Sequence, residues 1–385
     1  VKILVGLSGG VDSSVAALIL KEQGHEVIGA KMTIQSSGVP KAKGRGNSCY
    51  GSDEKEGIEV ARKAAKQIDI PFHVFDCSKI HEKIVIENFK AEYLGGRTPN
   101  PCVLCNALVK FGALPQIARE SGLKFDKFAT GHYARVEVLD TAFGFSRRLA
   151  VPGVARTVPP TAIHTAHAEK TTPAAYALKR GLDPKKDQSY FLYRLTQEQL
   201  ANILMPLGGY TKEQIREIAH EHGLVTADKS DSQDFYSGDY NDLLEIEPKI
   251  GNIVDETGKI LGTHKGIWNF TVGQRKGLPG GAAEPLYVLE LRECTNEVVV
   301  GFEHSAFKSG LVATNPSWIL KPEFPAKVSA KIRSTQTPVD ITLHEKAGEL
   351  IIEFVEPQKS VTPGQSVVLY DRELVLGGGI IVEGR

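Results

Sequence analysis

The sequence predicts an α/β protein: a doubly wound parallel sheet, then a small connecting domain, then a C-terminal β-barrel. Three observations predict it. Strand-like and helix-like stretches alternate from Lys2 to His132, a glycine- and serine-rich loop separates the first strand from the first helix, and from about Pro285 the chain turns to short strands punctuated by turn residues.

Taken in order, "KILVGLS" reads as a buried strand and "VDSSVAALILKEQG" as a helix stopped at Gly24. "HEVIGAKMTI" is the next strand, followed by a polar loop over 35–51. "SDEKEGIEVARKAAKQI" is a helix with Ser52 as its N-cap and acids in its first turn. "FHVFDC" gives a third strand, "KIHEKIVIENFKAEYL" a third helix and "DKFATGH" a fourth strand. Alternation of this kind places a ligand site at the C-terminal ends of the strands. Residues 140–172, rich in Pro, Thr and Ala, break the pattern and read as a surface insertion; His164 and His167 within it read as exposed residues of an irregular segment rather than metal ligands. "GGYTKEQIREIAHEHG" returns to helix, with Thr211 and Gln214 as a capping box and Gly223 as the stop. "PLYVLEL", "EVVVG", "LIIEF" and "SVVLYD" are short barrel strands. The expected domains are a catalytic domain over 1–237, a connecting domain over 238–283 and the barrel over 284–385.

A chain of 385 residues has room for two or three domains. It has no run of about 18 apolar residues, so no membrane span is predicted. The opening "VKILVGLSGG" lacks the order of basic, apolar and small-residue regions that a signal peptide needs. Five cysteines are too few for a disulfide scaffold, which predicts a reducing, cytoplasmic setting in which a CxxC is catalytic, redox-active or metal-binding. The 46 basic residues balance 46 acidic ones, so contact with a nucleic acid must rely on local patches. Lys308, Lys321, Lys327, Lys331 and Arg333, against the single acid Glu323, are a candidate patch.

The loop "GLSGGVDSS" comprises Gly6, Leu7, Ser8, Gly9, Gly10, Val11, Asp12 and Ser13 before Ser14. Glycines permit a tight turn, and free N–H groups at a helix N-terminus form an anion cradle. No lysine follows in the G-x-x-x-x-G-K-[ST] pattern, and the spacing is not G-x-G-x-x-G. The plain alternative is a Gly/Ser turn that caps a helix. The SGGxDS wording resembles the PP-loop family of ATP pyrophosphatases, with the adenine nucleotide alpha hydrolase-like fold. These enzymes adenylate a substrate oxygen and release pyrophosphate. The resemblance implies that residues 8–13 hold the ATP phosphates and that Asp12 lies near the associated Mg2+.

Further stretches narrow the resemblance: "GRTPNPCVLCNALVKFG", "ATGHYAR", "LKRGLDPKKDQSYFL", "TVGQRKGL", "TPGQSVVLYD" and "LGGGII". In this order they resemble the tRNA-specific 2-thiouridylases, over nearly the whole chain outside 140–172. That family implies an ATP-dependent tRNA sulfurtransferase acting on the wobble uridine. The C2 oxygen is adenylated and then replaced by sulfur, with release of AMP and pyrophosphate. The chemistry suits the residues: a uracil C2 carbonyl is a poor electrophile, adenylation supplies a leaving group, and a cysteine persulfide supplies the nucleophile. The resemblance implies Cys105 as the persulfide-forming nucleophile and Asn100, Pro101 and Cys102 against the target base. It implies Met32 and Gly131 on adenine or ribose, and His132 beside the flipped base. Lys186, Asp187 and Gln188 fall on a tRNA-contacting loop, and Arg333, Ser334 and Gln365 on tRNA contacts in the barrel. The implied partners are tRNA and a sulfur donor, either a persulfide carrier protein or sulfide, with the enzyme a monomer. A helix start near Cys105 predicts a lowered thiol pKa.

In one respect the chain departs from the family. A second catalytic cysteine is expected after an acidic "SQ" stretch, and "SDSQDFYSGDY" has Tyr236 there. Three roles for Cys102 and Cys105 follow. Cys102 replaces the missing partner in a dithiol cycle; or the pair joins Cys77, or next Cys49, on an iron–sulfur cluster. In the third, the pair holds structural zinc, which wants four ligands and a second close pair that the chain lacks. Otherwise Cys49, Cys77 and Cys294 read as small buried hydrophobes. Two other functions stay open: a PP-loop ligase forming an amide or guanidino bond, and a tRNA-binding relative without activity.

Overall fold

The computed structural model describes residues 1–35, 48–50, 54–139, 175–231, 234–236, 240–280 and 284–385. The expected cap at Ser52, the insertion over 140–172 with His164 and His167, and most of the 35–51 loop lie outside the described residues.

The first strand, β1 (Lys2–Gly6), carries three fully buried apolar residues, Ile3, Leu4 and Val5. A strand buried on both faces belongs in the middle of a parallel sheet. The chain continues through α1 (Val11–Glu22), β2 (Glu26–Thr33), β3 (Ser48–Tyr50), α2 (Glu54–Ile68) and β4 (Phe72–Asp76). After these come a helical run α3 (78–94), α4 (Pro101–Glu120), β5 (Lys127–Ala129), β6 (Ala134–Leu139), β7 (Ala175–Arg180), α5 (Gln197–Asn202), β8 (Ile203–Leu204), α6 (Lys212–Glu221) and β9 (Asp234–Tyr236). The parallel sheet has the order β4-β2-β1-β5-β8, with its reversal at β1. The loops after β1 and β5 therefore meet at one edge, where such sheets bind ligands. α4 is twenty residues long and apolar enough to cross a membrane, but it packs in the core through Val103, Val109, Phe111 and Leu114.

Both capping devices expected for α6 form: Thr211 Oγ1 accepts from Gln214 N, Gln214 Oε1 accepts from Thr211 N, and Gly223 adopts φ +58° after the last turn. The cap directs the first residue of α6 toward the start of α1, against which it packs.

The strands expected to open the C-terminal barrel do not belong to it. Tyr287–Arg292 and Glu297–Gly301 pair with each other, and the second pairs in parallel with Gly251–Asp255 in a sheet completed by Ile260–His264. Buried Ile253, Val288, Val298 and Val300 pack in one apolar core that draws the hairpin there. Cys294 lies exposed in the turn of that hairpin, so the buried-hydrophobe expectation does not hold for it. The barrel proper has six antiparallel strands from Phe307 to Gly384 and closes by pairing its first strand with its last, which removes its free edges. The last strand also pairs with β7 at Leu374↔Lys179 and Val375↔Leu178, so the β6–β7 hairpin of the first domain extends the barrel sheet.

The expected basic face is also altered. Lys331 is 4% exposed, and burial pushes its ammonium below the ordinary value. Lys321 is held by Glu345 at 2.7 Å and lies over the Phe324 ring. Lys308 lies on a different strand from Lys327 and Lys331, and with Lys331 buried and Lys321 paired, five cations close in sequence do not make one free patch.

Candidate active site

The loop after β1 is built from its own serines. Ser8 N donates to Ser13 Oγ at 3.1 Å, Gly10 N donates to Ser8 Oγ at 3.2 Å, and the hydroxyls of Ser13 and Ser14 donate to the Gly10 carbonyl at 3.1 and 3.0 Å. Gly9 sits at φ +85°, a conformation that favours glycine. Gly10 is the N-cap of α1 and supplies no side chain, so the first N–H groups of the helix stay available to an anion. Lys31 donates from Nζ to the Ser8 carbonyl at 2.6 Å, adding a cation that the sequence reading missed. Met32 is the next residue on β2, half-buried against the core on the opposite face of the strand from Lys31.

The loop after β5 comes to the same place. A Cβ on Gly131 would lie 2.7 Å from the Asp12 carbonyl carbon and 2.8 Å from Ser13 N, so only glycine lets the two loops touch. Gly131→Ala is expected to lower ATP affinity about tenfold or more and the melting temperature by a few degrees, because its Cβ must push backbone apart. Calorimetric titration of ATP alongside a thermal melt checks this; unchanged affinity would sink the close-approach argument.

Asp12 is not isolated. Its Oδ1 accepts from Tyr133 Oη at 2.7 Å and from Lys212 Nζ at 2.6 Å. Lys212 also meets Asp231 at 2.7 Å, and Asp231 meets Lys186 at 2.8 Å. These cations depress the Asp231 carboxyl against the opposing effect of its burial. One carboxylate beside a phosphate-binding loop suits magnesium, which takes one or two carboxylates together with substrate phosphates. The expected loop residues divide. Lys186 joins this network and Gln188 bonds Tyr133 N through Oε1 at 2.9 Å. Asp187 turns inward, its side chain 1% exposed and occupied by Arg180 Nε and the N–H groups of Gly181 and Ser189. It shapes the loop from inside rather than presenting a charge to RNA.

The cysteines lie on the first turns of α4. Asn100 is the N-cap and Pro101 the first helical residue, and the Asn100 side chain makes no capping hydrogen bond. From Cys105 to Ala113 the winding is π-helical, a local change that often marks functional sites. Cys102 and Cys105 keep some exposed area yet are closely surrounded by protein atoms, and this decides their chemistry. Burial pushes the Cys105 thiol up to about 11, with Lys110 pulling it down and Cys49 adding to the rise. The Cys102 thiol is pushed up to about 12 by burial, then by Cys49 and Cys105, again against Lys110. This corrects the expectation of a lowered Cys105 pKa. Cys105 lies beyond the first turn, where the favourable field of the helix end has faded, and desolvation of the thiolate dominates.

Lys110 acts on His132 as well, lowering its pKa in the same direction as burial does. His132 Nδ1 shares a 2.7 Å hydrogen bond with Thr130 Oγ1, and its ring packs on Phe111. Cys77 is 1% exposed, its thiol pushed up to about 12 by burial, then by Asp76 and Cys105. Cys49 is exposed, on β3, which pairs in parallel with β9 at Tyr50↔Tyr236. Thus the strand carrying Tyr236 has a cysteine on its immediate neighbour. Among the described residues no three or more His, Cys, Asp or Glu side chains are grouped to hold a metal ion as they stand, while Cys77 acts electrostatically with Cys105, and Cys49 with both Cys102 and Cys105.

Barrel and cysteine motif are joined directly. Gln365 Nε2 donates to the carbonyls of Thr98 and Pro99 at 2.8 and 3.3 Å, and Thr98 N donates to the Pro363 carbonyl at 2.9 Å. Gly364, at φ +90°, lies so close that a Cβ would stand 2.8 Å from Thr98 N. A pocket of about 240 Å³ opens here, lined by Thr98, Thr271, Arg333, Ser334, Thr335, Thr362 and Gln365. The three barrel residues expected to meet tRNA therefore gather beside the segment that leads into Asn100 and Pro101. Arg333 is anchored through one guanidinium nitrogen to the carbonyls of Val272 and Ser360 and to Thr362 Oγ1.

Lys31, Lys110, Tyr133, Lys212 and Asp231 were not singled out from the sequence. Lys110 and Tyr133 lay inside quoted motifs, and Lys212 inside a capping box. Asp231, next to the "SQ" stretch, had no distinguishing local signal.

Comparison with known proteins covers the whole chain. Residues 1–236 match the family described as tRNA methyl transferase HUP domain, 244–302 the tRNA methyl transferase PRC-barrel domain and 308–381 the aminomethyltransferase beta-barrel domain. The tRNA-specific 2-thiouridylase MnmA of Endomicrobium trichonymphae is 46% identical over 387 residues, covering 99% of this chain and 99% of its own. The tRNA-specific 2-thiouridylase MnmA of Clostridium botulinum strain Alaska E43 is 42% identical, over 99% of this chain and 97% of its own. That of Geotalea uraniireducens is 42% identical, over 99% and 94%.

Proposed function

The chain belongs to the tRNA-specific 2-thiouridylase family, and from that premise we propose that its finer mechanism is a thiol relay on α4 acting on a tRNA uridine activated by ATP. The protein is a PP-loop, ATP-dependent tRNA sulfurtransferase. An adenylating loop beside paired cysteines is sulfur-transfer chemistry; methyl transfer would need neither.

In the activation step the uracil O2 bonds to the α-phosphorus of ATP. The bond from that phosphorus to the bridging oxygen breaks, its electron pair leaves on pyrophosphate, and the N3 proton passes to solvent. The serines and free N–H groups over residues 8–13 bind the phosphates. Asp12 would hold magnesium, which when bound neutralises phosphate charge. The base must leave its stack to reach this place. His132 and Asn100 orient it, and the pocket of Arg333, Ser334 and Gln365 grips the neighbouring RNA.

In the transfer step the terminal sulfur of a Cys105 persulfide attacks C2, and AMP leaves with the C2–O electron pair. A second thiolate then attacks the Cys105 sulfur. The S–S bond breaks, its electron pair stays on the base sulfur, and the two cysteines become a disulfide. A dithiol reductant reopens it, and a persulfide donor reloads Cys105. Cys102, one helical turn away, is the resolving thiol. A second reading gives that part to Cys49, because it acts electrostatically on both α4 thiols from the strand beside Tyr236. A monomer in a reducing compartment suits either cycle.

The observation that carries this proposal is that His132 packs on Phe111 of the helix that carries Cys102 and Cys105, while the adjoining Gly131 lies against Asp12 of the ATP loop. Base-binding and sulfur-carrying groups thus share one place beside the ATP loop. The test is anaerobic purification, measurement of iron, zinc and sulfide, then assay of AMP and 2-thiouridine on tRNA. Metal-free protein should be active, and Cys102→Ser should make AMP while losing multiple-turnover thiolation. Loss in Cys49→Ser alone would transfer the role to Cys49. No AMP with uridine-containing tRNA, or activity only with iron bound, would refute the dithiol relay.

A further inference from the structure

Lys212 is the first residue of α6, and the Thr211 cap fixes its backbone. Its own N–H donates to Asp183 Oδ2 at 3.1 Å. Its side chain, 8% exposed, returns to the start of α1, where Nζ stands 2.6 Å from Asp12 Oδ1 and 2.7 Å from Asp231 Oδ1. The ammonium also lies 5.9 Å from the Tyr133 ring centroid. Taking an ammonium out of water costs free energy that such pairing offsets.

The two carboxylates are not equivalent. Asp12 belongs to the phosphate-binding loop and holds Lys212 through the oxygen that Tyr133 also uses. Asp231 faces Asp12 across the same ammonium but belongs to the chain after α6 and is held by two further cations, Lys186 at 2.8 Å and Arg216 at 3.7 Å. A divalent cation arriving with a polyphosphate competes with Lys212 for Asp12. Asp231, paired with Lys186 and Arg216 as well, is the less exchangeable of the two partners. An ammonium displaced from Asp12 therefore stays tethered at the mouth of the anion cradle, facing the charge that displaced it.

We propose that Lys212 is a positioning residue for the activation step: it neutralises Asp12 while the loop is empty and turns to the β- and γ-phosphates of ATP when the nucleotide enters, with Asp231 as its pivot. This rests on the ATP-dependent activation described above. In that step the electron pair of the broken phosphorus–oxygen bond leaves on pyrophosphate, and the tethered ammonium meets that growing charge without leaving its pivot.

Variants of the two residues should move magnesium dependence in opposite directions. Lys212→Met removes the competitor for Asp12, so the Mg2+ concentration that half-saturates binding of a non-hydrolysable ATP analogue should fall about fivefold. Asp231→Asn removes the pivot and leaves Lys212 leaning on Asp12, so that concentration should rise about threefold. With tRNA present, Lys212→Met should lower kcat for pyrophosphate release about 30-fold while KM for ATP changes by less than about threefold, and Lys212→Arg should recover most of the loss. Calorimetry, a pyrophosphate assay and thermal melts read these quantities. Shifts of Mg2+ dependence in the same direction, or a lower melting temperature with unchanged Mg2+ dependence and kcat, would overturn the proposal. Wild-type protein that releases no pyrophosphate with tRNA would instead overturn the functional reading, and the binding titrations would still decide the part played by Lys212.

Discussion

Replacing Cys105 with serine is expected to abolish 2-thiolation, by about 10⁴-fold or more, while pyrophosphate release from ATP on tRNA continues. A serine hydroxyl cannot carry a sulfane sulfur, so no persulfide forms. Activation is a separate step that uses the loop over residues 8–13 and Gly131, and the Cys105 side chain is not part of that loop's hydrogen bonding. The variant should therefore accumulate adenylated tRNA, or AMP where water intercepts it. Cysteine and serine have similar volume, so packing against the apolar core should survive. Counting 2-thiouridine by mass spectrometry beside a pyrophosphate assay separates the steps. Joint loss of both activities in a folded variant would mean that Cys105 serves activation, contrary to the relay.

Loading of Cys105 with sulfur is expected to accelerate about tenfold per pH unit from about pH 6.5 to about pH 9, a rise of roughly 300-fold. The sign follows from burial. The neutral thiol is favoured, its pKa is pushed up to about 11, and only the thiolate attacks a persulfide donor. At neutral pH roughly one thiol in 10⁴ is ionised, and each unit of pH multiplies that fraction by about ten until the pKa is approached. Lys110→Gln removes the cation that opposes this rise, so its rate should lie below that of the unaltered protein throughout the window, by about tenfold, with the same slope. The rate of persulfide formation from a small-molecule persulfide, followed by mass spectrometry, gives both curves. A flat profile below about pH 8 would show that the helix end, not burial, controls the thiol.

That contrast shows where local reasoning fails. The sequence places Cys105 near a helix start, correctly, and a helix start lowers a thiol pKa. The opposing effect, loss of hydration by the thiolate, comes from the protein packed around α4, and it is larger. Asp187 is a similar case. Its place in "KKDQSYF" reads as a charged loop position, yet its carboxylate is consumed by Arg180 and two backbone N–H groups. The strands at 287–301 are legible as strands but not as members of their sheet, because alternation specifies a buried face and not the face that covers it.

By itself the sequence determined the α/β class, the anion-binding loop before α1, the cap of α6 at Thr211 and the order of motifs that marks the family. These are local properties: glycine conformation, capping chemistry and apolar periodicity act over a few residues. Only the tertiary structure decided that Lys212 and Asp231 close on Asp12, and that Cys49 lies on the strand beside Tyr236. It likewise decided that Gln365 of the barrel holds the segment leading to Asn100. Each of these joins residues far apart in the chain, and the free energy that joins them comes from burial and charge pairing in a shared core, which no short stretch of sequence contains.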